Sequence, residues 1–156
     1  MPATHLPLMV LMLTAGLGIP VMAALNANLG AKLGNPVMAV VILCLVASIA
    51  ALLLLIIQTK PSSEPAWRIN PAYYVAGVIF VAYIASMTYS APRMGLGNAV
   101  FFVILGQLIS AAVIDHNGWL GVAPAPVSLK RGLGLVVIAL GVYLARANAP
   151  AGTSLP

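Results

Sequence analysis

Five long apolar blocks, separated by short polar segments, dominate the pattern of the chain. Each block approaches the ~20 residues that an α-helix needs to cross a bilayer. The blocks lack the two-residue alternation of polarity that is typical of transmembrane strands. The pattern therefore predicts an all-α integral membrane protein with five transmembrane helices, in one domain over residues 1–147. We place the helices at about residues 6–29, 36–58, 71–91, 96–115 and 129–146.

Local signals mark two of the predicted helix starts. Asn35 precedes Pro36, and Asn70 precedes Pro71. Asparagine is a favoured N-cap residue, and proline is favoured in the first turn because its missing N–H has no helical partner there. The second and third helices should therefore begin at these prolines. Residues 148–156 are small and polar, and we expect them to form a mobile tail.

Composition supports the membrane interpretation. Hydrophobic residues make up 62% of the chain and charged residues only 6%, whereas a soluble domain carries roughly 25% charged residues. The chain cannot cover an apolar core with polar groups, so lipid is the expected solvent and the bilayer the first partner. The net charge of +5 comes from scattered basic residues without a basic run, which argues against nucleic acid as a partner.

The distribution of loop charges bears on topology, because Lys and Arg concentrate on the cytoplasmic side. With five helices, four basic residues lie on one side and three on the other, which is a weak bias. Such a balance is expected of a dual-topology protein whose opposed copies form an antiparallel homodimer, equivalent to the inverted repeat of many transporters. A single fixed orientation is the alternative. The two groups are Lys60, Arg68, Lys130 and Arg131, and Lys32, Arg93 and Arg146.

The first helix contains a candidate hinge formed by Gly16, Gly18 and Pro20. Proline cannot donate a hydrogen bond to the carbonyl four residues earlier, and the glycines add conformational freedom. A kinked helix that lines a cavity is a common feature of transporters. A kink that serves only packing is the alternative.

Polar side chains inside the apolar blocks are the candidates for substrate binding, because they cost free energy in a bilayer unless they are paired or hydrated. Asn26 lies on the first helix, Tyr83 and Ser86 on the third, and Gln107 near the middle of the fourth. Together they offer hydrogen bonds and aromatic packing to a small organic solute. The alternatives are a Ser86 bond to the carbonyl four residues earlier, a Tyr83 that only packs, and a Gln107 that only joins helices.

Small residues indicate where helices can approach closely. Gly134, Gly141 and Ala145 form a ridge on the fifth helix, and we predict that this ridge is a dimer face. Gly30 and Gly34 have a similar spacing. Because they lie at the end of the first helix, we expect them to serve the following turn.

The inventory of reactive groups argues against an enzyme, with no catalytic residues, metal ligands or cofactor expected. The sequence lacks Ser-His-Asp, His-rich and phosphate-cradling arrangements. Asp115 falls at a helix end, where it is either a solvated acid or a partner for Arg93 or Lys130. Since no carboxylate lies deep in a predicted helix, proton-coupled export of cations is not expected.

Three segments carry a resemblance to a known family. Residues 18–29 contain Gly-Ile-Pro and the ending Asn-Ala-Asn-Leu, residues 91–95 a Pro-x-x-Gly turn, and residues 106–118 a Gly-Gln-Leu and an Asp-x-x-Gly. In these motifs the chain resembles the five-helix, YdcZ-type branch of the drug/metabolite transporter superfamily. Met22 departs from the pattern, since many members have glutamine there, so a glutamine at this position is not required by the resemblance.

The resemblance implies a half-unit of a transporter, completed by a second copy or by a related paired chain. It also implies kinship with the small multidrug resistance exporters, whose membrane glutamate has no counterpart in this chain. We therefore expect a multi-pass secondary transporter of the prokaryotic inner membrane, which moves a small organic solute by alternating access. A non-transporting structural or accessory membrane subunit is the alternative.

Overall fold

The computed structural model describes residues 5–57 and 68–146, and these ranges contain five α-helices and no strand. The predicted all-α membrane fold is confirmed. The predicted tail at 148–156 and the side chain of Ala145 lie outside the described residues. The helices are α1 (Leu6–Leu33), α2 (Pro36–Ile57), α3 (Val75–Met94), α4 (Leu96–Asn117) and α5 (Leu129–Arg146).

Within the described residues, four helical segments are long and apolar enough to cross a membrane: Leu6–Leu33, Pro36–Ile57, Pro71–Met94 and Leu96–Asn117. The third of them is α3 together with a short 3-10 turn, Pro71–Tyr74, that precedes it. α5 is shorter, with 18 residues, and carries Lys130 and Arg131 in its first turn. Most large apolar side chains on the described helices are exposed, as expected when lipid is the solvent.

A tight turn joins α1 to α2. Gly34 ends α1 with a φ of 62°, a left-handed conformation that glycine adopts without steric cost. Asn35 then caps α2, since its side-chain oxygen accepts hydrogen bonds from the backbone N–H groups of Val37 and Met38 at 3.0 and 3.1 Å. This cap satisfies two of the N–H groups that lack a partner inside the helix.

The described chain divides into two compact units, Met1–Ser90 and Ala91–Pro156. In the first unit, small residues on α1 and α2 form much of the buried core, including Ala23, Ala27 and Ala39. Short side chains let neighbouring helices approach closely in a bilayer, where van der Waals packing replaces the hydrophobic effect as the driving force.

In the second unit, an irregular segment leads from α4 back to α5. Gly118 ends α4 in the left-handed region, with a φ of 63°. The backbone N–H of Ala125 donates to the carbonyl of Asp115 at 2.7 Å, which ties the segment to the last turn of α4. Ser128 caps α5 by accepting from the N–H of Arg131 at 3.2 Å.

Candidate functional site

A buried pair of polar side chains joins α1 to α3. The side-chain amide of Asn26 donates a hydrogen bond to the hydroxyl oxygen of Thr88 at 2.6 Å. The Thr88 hydroxyl in turn donates to the carbonyl of Ile84 at 2.8 Å. Asn26 is 5% exposed and Thr88 is 3% exposed. These two hydrogen bonds offset the free energy cost of placing the Thr88 hydroxyl in an apolar interior, and they orient the Asn26 amide.

Asn26 also lies on the wall of a groove between α1 and α2. The groove has a volume of about 500 Å³, within the range of sites for small organic ligands. Of the nine described residues that line it, Asn26 alone has a hydrogen-bonding side chain, and none is charged. They are Gly18, Val21, Met22, Leu25, Asn26, Leu29, Ile42, Leu43 and Val46.

Gly30 allows the close approach that the Asn26–Thr88 bond requires. A Cβ atom at Gly30 would lie 3.2 Å from the Thr88 methyl carbon and 3.3 Å from the Pro36 Cα. Both distances are shorter than ordinary van der Waals contact between carbon atoms. The hydrogen of this glycine therefore lets the end of α1 pack against both α3 and the start of α2.

The two predicted site residues of α3 differ in their surroundings. The Tyr83 hydroxyl is buried, and the residues that the structure describes offer it no hydrogen-bond partner. Ser86 is exposed and donates to the carbonyl of Ala82 at 2.8 Å. This bond to the carbonyl four residues earlier is the alternative that the sequence left open for Ser86. The role in substrate binding that the sequence predicts for Tyr83 stays a prediction.

Gln107 lies on α4 in the second unit, where its side chain is exposed. On α5, Gly134 and Gly141 are also exposed, and a Cβ atom added at either would meet nothing within 4 Å. The structure thus leaves room beside both glycines. The predicted dimer face and the role of Gln107 stay predictions.

The predicted hinge lies in an uninterrupted helix. α1 continues through Pro20 from Leu6 to Leu33. Added Cβ atoms at Gly16 and Gly18 would meet nothing within 4 Å, so this stretch is loosely surrounded. Pro20 leaves the Gly16 carbonyl without its usual helical donor, a local weakness suited to bending.

The acidic group at the end of α4 pairs within the second unit. The Asp115 carboxylate accepts from the Arg131 guanidinium at 2.6 Å, and both side chains are partly exposed. Arg131 was not among the partners considered from the sequence, and the structure places it there because the cap at Ser128 brings the first turn of α5 beside Asp115. Next to it, the His116 Nδ1 atom accepts from the N–H of Val127 at 3.2 Å.

Thr88 is the site residue that sequence reasoning missed. Its signal was available, since it is a polar residue inside an apolar block. Thr88 lies on a different face of α3 from Tyr83 and Ser86, and only the packing of α3 against α1 brings it to Asn26. Across residues 5–57 and 68–146, no group of three His, Cys, Asp or Glu side chains is placed to hold a metal ion.

Comparison of the sequence with known proteins identifies the family to which the chain belongs. No curated protein and no solved structure matches the chain. A model of the family described as "Putative inner membrane exporter, YdcZ" matches residues 7–144. The match takes in every described helix, from the first turn of α1 to the last turns of α5, and it agrees with the membrane fold and with the three resembling segments. The chain therefore belongs to this YdcZ family of inner membrane proteins.

Proposed function

We propose that the chain is a small secondary transporter, which exports a small organic solute across a prokaryotic inner membrane. The observation that carries this proposal is the buried Asn26–Thr88 pair beside a groove of about 500 Å³. Asn26 belongs to both features, because its amide joins α1 to α3 and the residue also lies on the wall of the groove. Family membership independently supports export.

In this proposal four side chains contact the solute at different stages of its passage across the membrane. Asn26 offers its amide, Tyr83 its unpartnered buried hydroxyl, and Ser86 and Gln107 exposed polar groups. Amide and hydroxyl groups orient a ligand through hydrogen bonds, while the surrounding apolar side chains supply most of the binding free energy. Ser86 already bonds Ala82, so we assign it the weakest contact.

Alternating access uses the α1 segment around Gly16, Gly18 and Pro20 as its bend. A helix that lacks one backbone hydrogen bond and has few neighbours can change its angle at low cost. Access then changes from one side of the membrane to the other as two chains rock against each other. The second chain is an inverted copy, and Gly134, Gly141 and Ala145 face it.

Cysteine labelling tests the antiparallel arrangement. In a Cys44→Ala background, Leu33→Cys reports the α1–α2 turn and Val122→Cys the α4–α5 segment, and both positions are exposed. A membrane-impermeant maleimide should label each variant from both sides in similar proportions. Labelling of each position from one side only would show a fixed orientation and rule out a dual-topology dimer.

A ligand screen tests the transport site against the alternative of an accessory subunit. A solute that binds the folded protein raises its melting temperature, by an amount that grows with ligand concentration. We expect stabilisation of the wild type by at least one class of organic solute, and less stabilisation of Tyr83→Phe, which keeps the ring but lacks the hydroxyl. Equal stabilisation of both proteins would remove the Tyr83 hydroxyl from the site.

A further inference from the structure

We propose that the groove between α1 and α2 selects a neutral, mostly apolar molecule that carries one hydroxyl or amide group. This inference rests on the proposed transport function and adds the chemical class of the substrate. Its basis is the lining of the groove, which combines a single amide, from Asn26, with eight residues that offer no polar side-chain group beyond a thioether.

The lining disfavours a charged solute. None of the nine described lining residues carries a charge, so an ammonium or carboxylate group would lose its hydration without gaining an ionic partner. The cost of such a transfer greatly exceeds what apolar contacts in a small groove return. A neutral molecule avoids this cost and still gains from burial of its apolar surface.

The Asn26 amide disfavours a plain hydrocarbon. An amide has two N–H donors and an acceptor oxygen, and the bond to Thr88 uses one N–H. Asn26 lines the groove, and its remaining amide groups border it over a small area, because the residue is 5% exposed. A ligand hydroxyl or amide can pair with them, whereas a lipid acyl chain cannot. The groove is therefore better matched to an amphipathic solute than to lipid tails.

The shape of the groove indicates an elongated ligand. On α1 the lining runs from Gly18 to Leu29, which corresponds to about 16 Å along the helix axis. Asn26 lies near one end of this stretch and Gly18 at the other. The polar group of the ligand should bind near Asn26, with its apolar part extending towards Gly18.

Photolabelling with an eight-carbon series tests this selectivity. The probe is an octanol with a photoreactive diazirine on its chain, applied to the full-length protein in lipid nanodiscs. Labelling of peptides from α1 and α2 should saturate as the probe concentration rises. Excess 1-octanol should reduce this labelling at least about fivefold more than octylammonium or octanoate does at the same concentration. Equal competition by the charged compounds would overturn the inference, and so would labelling that does not saturate, as expected of lipid-like partitioning.

Two glycines provide a matched pair of variants. Gly18 lines the groove and Gly77 of α3 does not, yet an added Cβ atom meets nothing within 4 Å at either position. Gly18→Leu should therefore occupy part of the groove and remove the saturable labelling, while Gly77→Leu should retain it. Equal labelling of the two variants would show that the probe binds elsewhere.

The amide is tested separately. Asn26→Leu should weaken competition by octanol about three- to tenfold, the value of one hydrogen bond, with little change for octane. An unchanged preference for octanol over octane would remove Asn26 from recognition. These labelling experiments measure binding and not transport. If the protein transports a solute but does not prefer octanol, only the proposed substrate class is contradicted. If it binds octanol selectively but transports no solute, the proposed function is contradicted.

Discussion

The Asp115 carboxylate lies 2.6 Å from the Arg131 guanidinium and joins the end of α4 to the start of α5. Both side chains are partly exposed, so water screens the pair. The position at a helix end, with a basic partner, differs from that of an acid buried in a transport path. In our account Asp115 is structural and has no role in proton coupling.

Asp115→Asn should therefore lower the free energy of unfolding by less than about 1 kcal/mol. Solute transport, and its dependence on pH, should stay as in the wild type. Arg131→Gln serves as the control, because it removes the same ion pair from the other side. Loss of transport in Asp115→Asn but not in Arg131→Gln would assign the carboxylate a direct role.

The bond between Asn26 and Thr88 should couple the stabilities of α1 and α3. We expect a double-mutant cycle of Asn26→Leu and Thr88→Val, measured by unfolding in mixed micelles, to give a coupling free energy of about 0.6–1.7 kcal/mol. Thr88→Val leaves the shape of the side chain nearly unchanged. Strictly additive effects of the two substitutions would show that the bond contributes nothing to stability.

Gly30 should tolerate no larger side chain. Gly30→Ala places a Cβ atom 3.2 Å from Thr88 and 3.3 Å from Pro36, and such overpacking costs about 1–3 kcal/mol. Gly77→Ala is the matched control, since its Cβ atom meets nothing within 4 Å. The control should keep or raise the melting temperature. A similar response of both variants would contradict the close approach at Gly30.

The exposed glycines of α5 should mark the surface between two copies. Gly141→Leu adds a bulky side chain where the isolated chain offers no neighbour within 4 Å, so the monomer should fold normally. In a dimer with close helix contact, the same change should weaken association by roughly tenfold or more. Light scattering of purified protein at several concentrations measures this, with Gly77→Leu as the control. An unchanged dimer would place the interface elsewhere.

Helix ends were predictable where a local signal determines them. Asn35 caps α2 at the predicted position, because its side chain needs only the next turn of backbone. Asn70 instead caps a 3-10 turn through the backbone N–H of Ala72, and α3 begins at Val75. α1 continues past the predicted end to Leu33, because Gly30 is held in the helix by packing and Gly34 provides the left-handed residue.

Pairing between helices was less accessible from the sequence. Asn26 was predicted to be a site residue, but its partner Thr88 is 62 positions away along the chain. Periodicity assigns each residue to a face of its own helix, and it contains no information on which faces meet. Gly30 serves the turn as predicted, because its carbonyl accepts from the N–H of Asn35 at 3.1 Å. Its close approach to Thr88 and Pro36 was not predictable, for the same reason.

Solute efflux from proteoliposomes tests the proposed transport function directly. Vesicles containing wild-type protein or Gln107→Leu are loaded with a small-molecule extract of the host cells, and the compounds that leave are identified by mass spectrometry. We predict that at least one neutral organic solute leaves wild-type vesicles faster than protein-free vesicles. With Gln107→Leu, whose dimer should stay intact, this solute should leave no faster than from protein-free vesicles. Identical efflux from wild-type and protein-free vesicles for every compound would contradict a transport function.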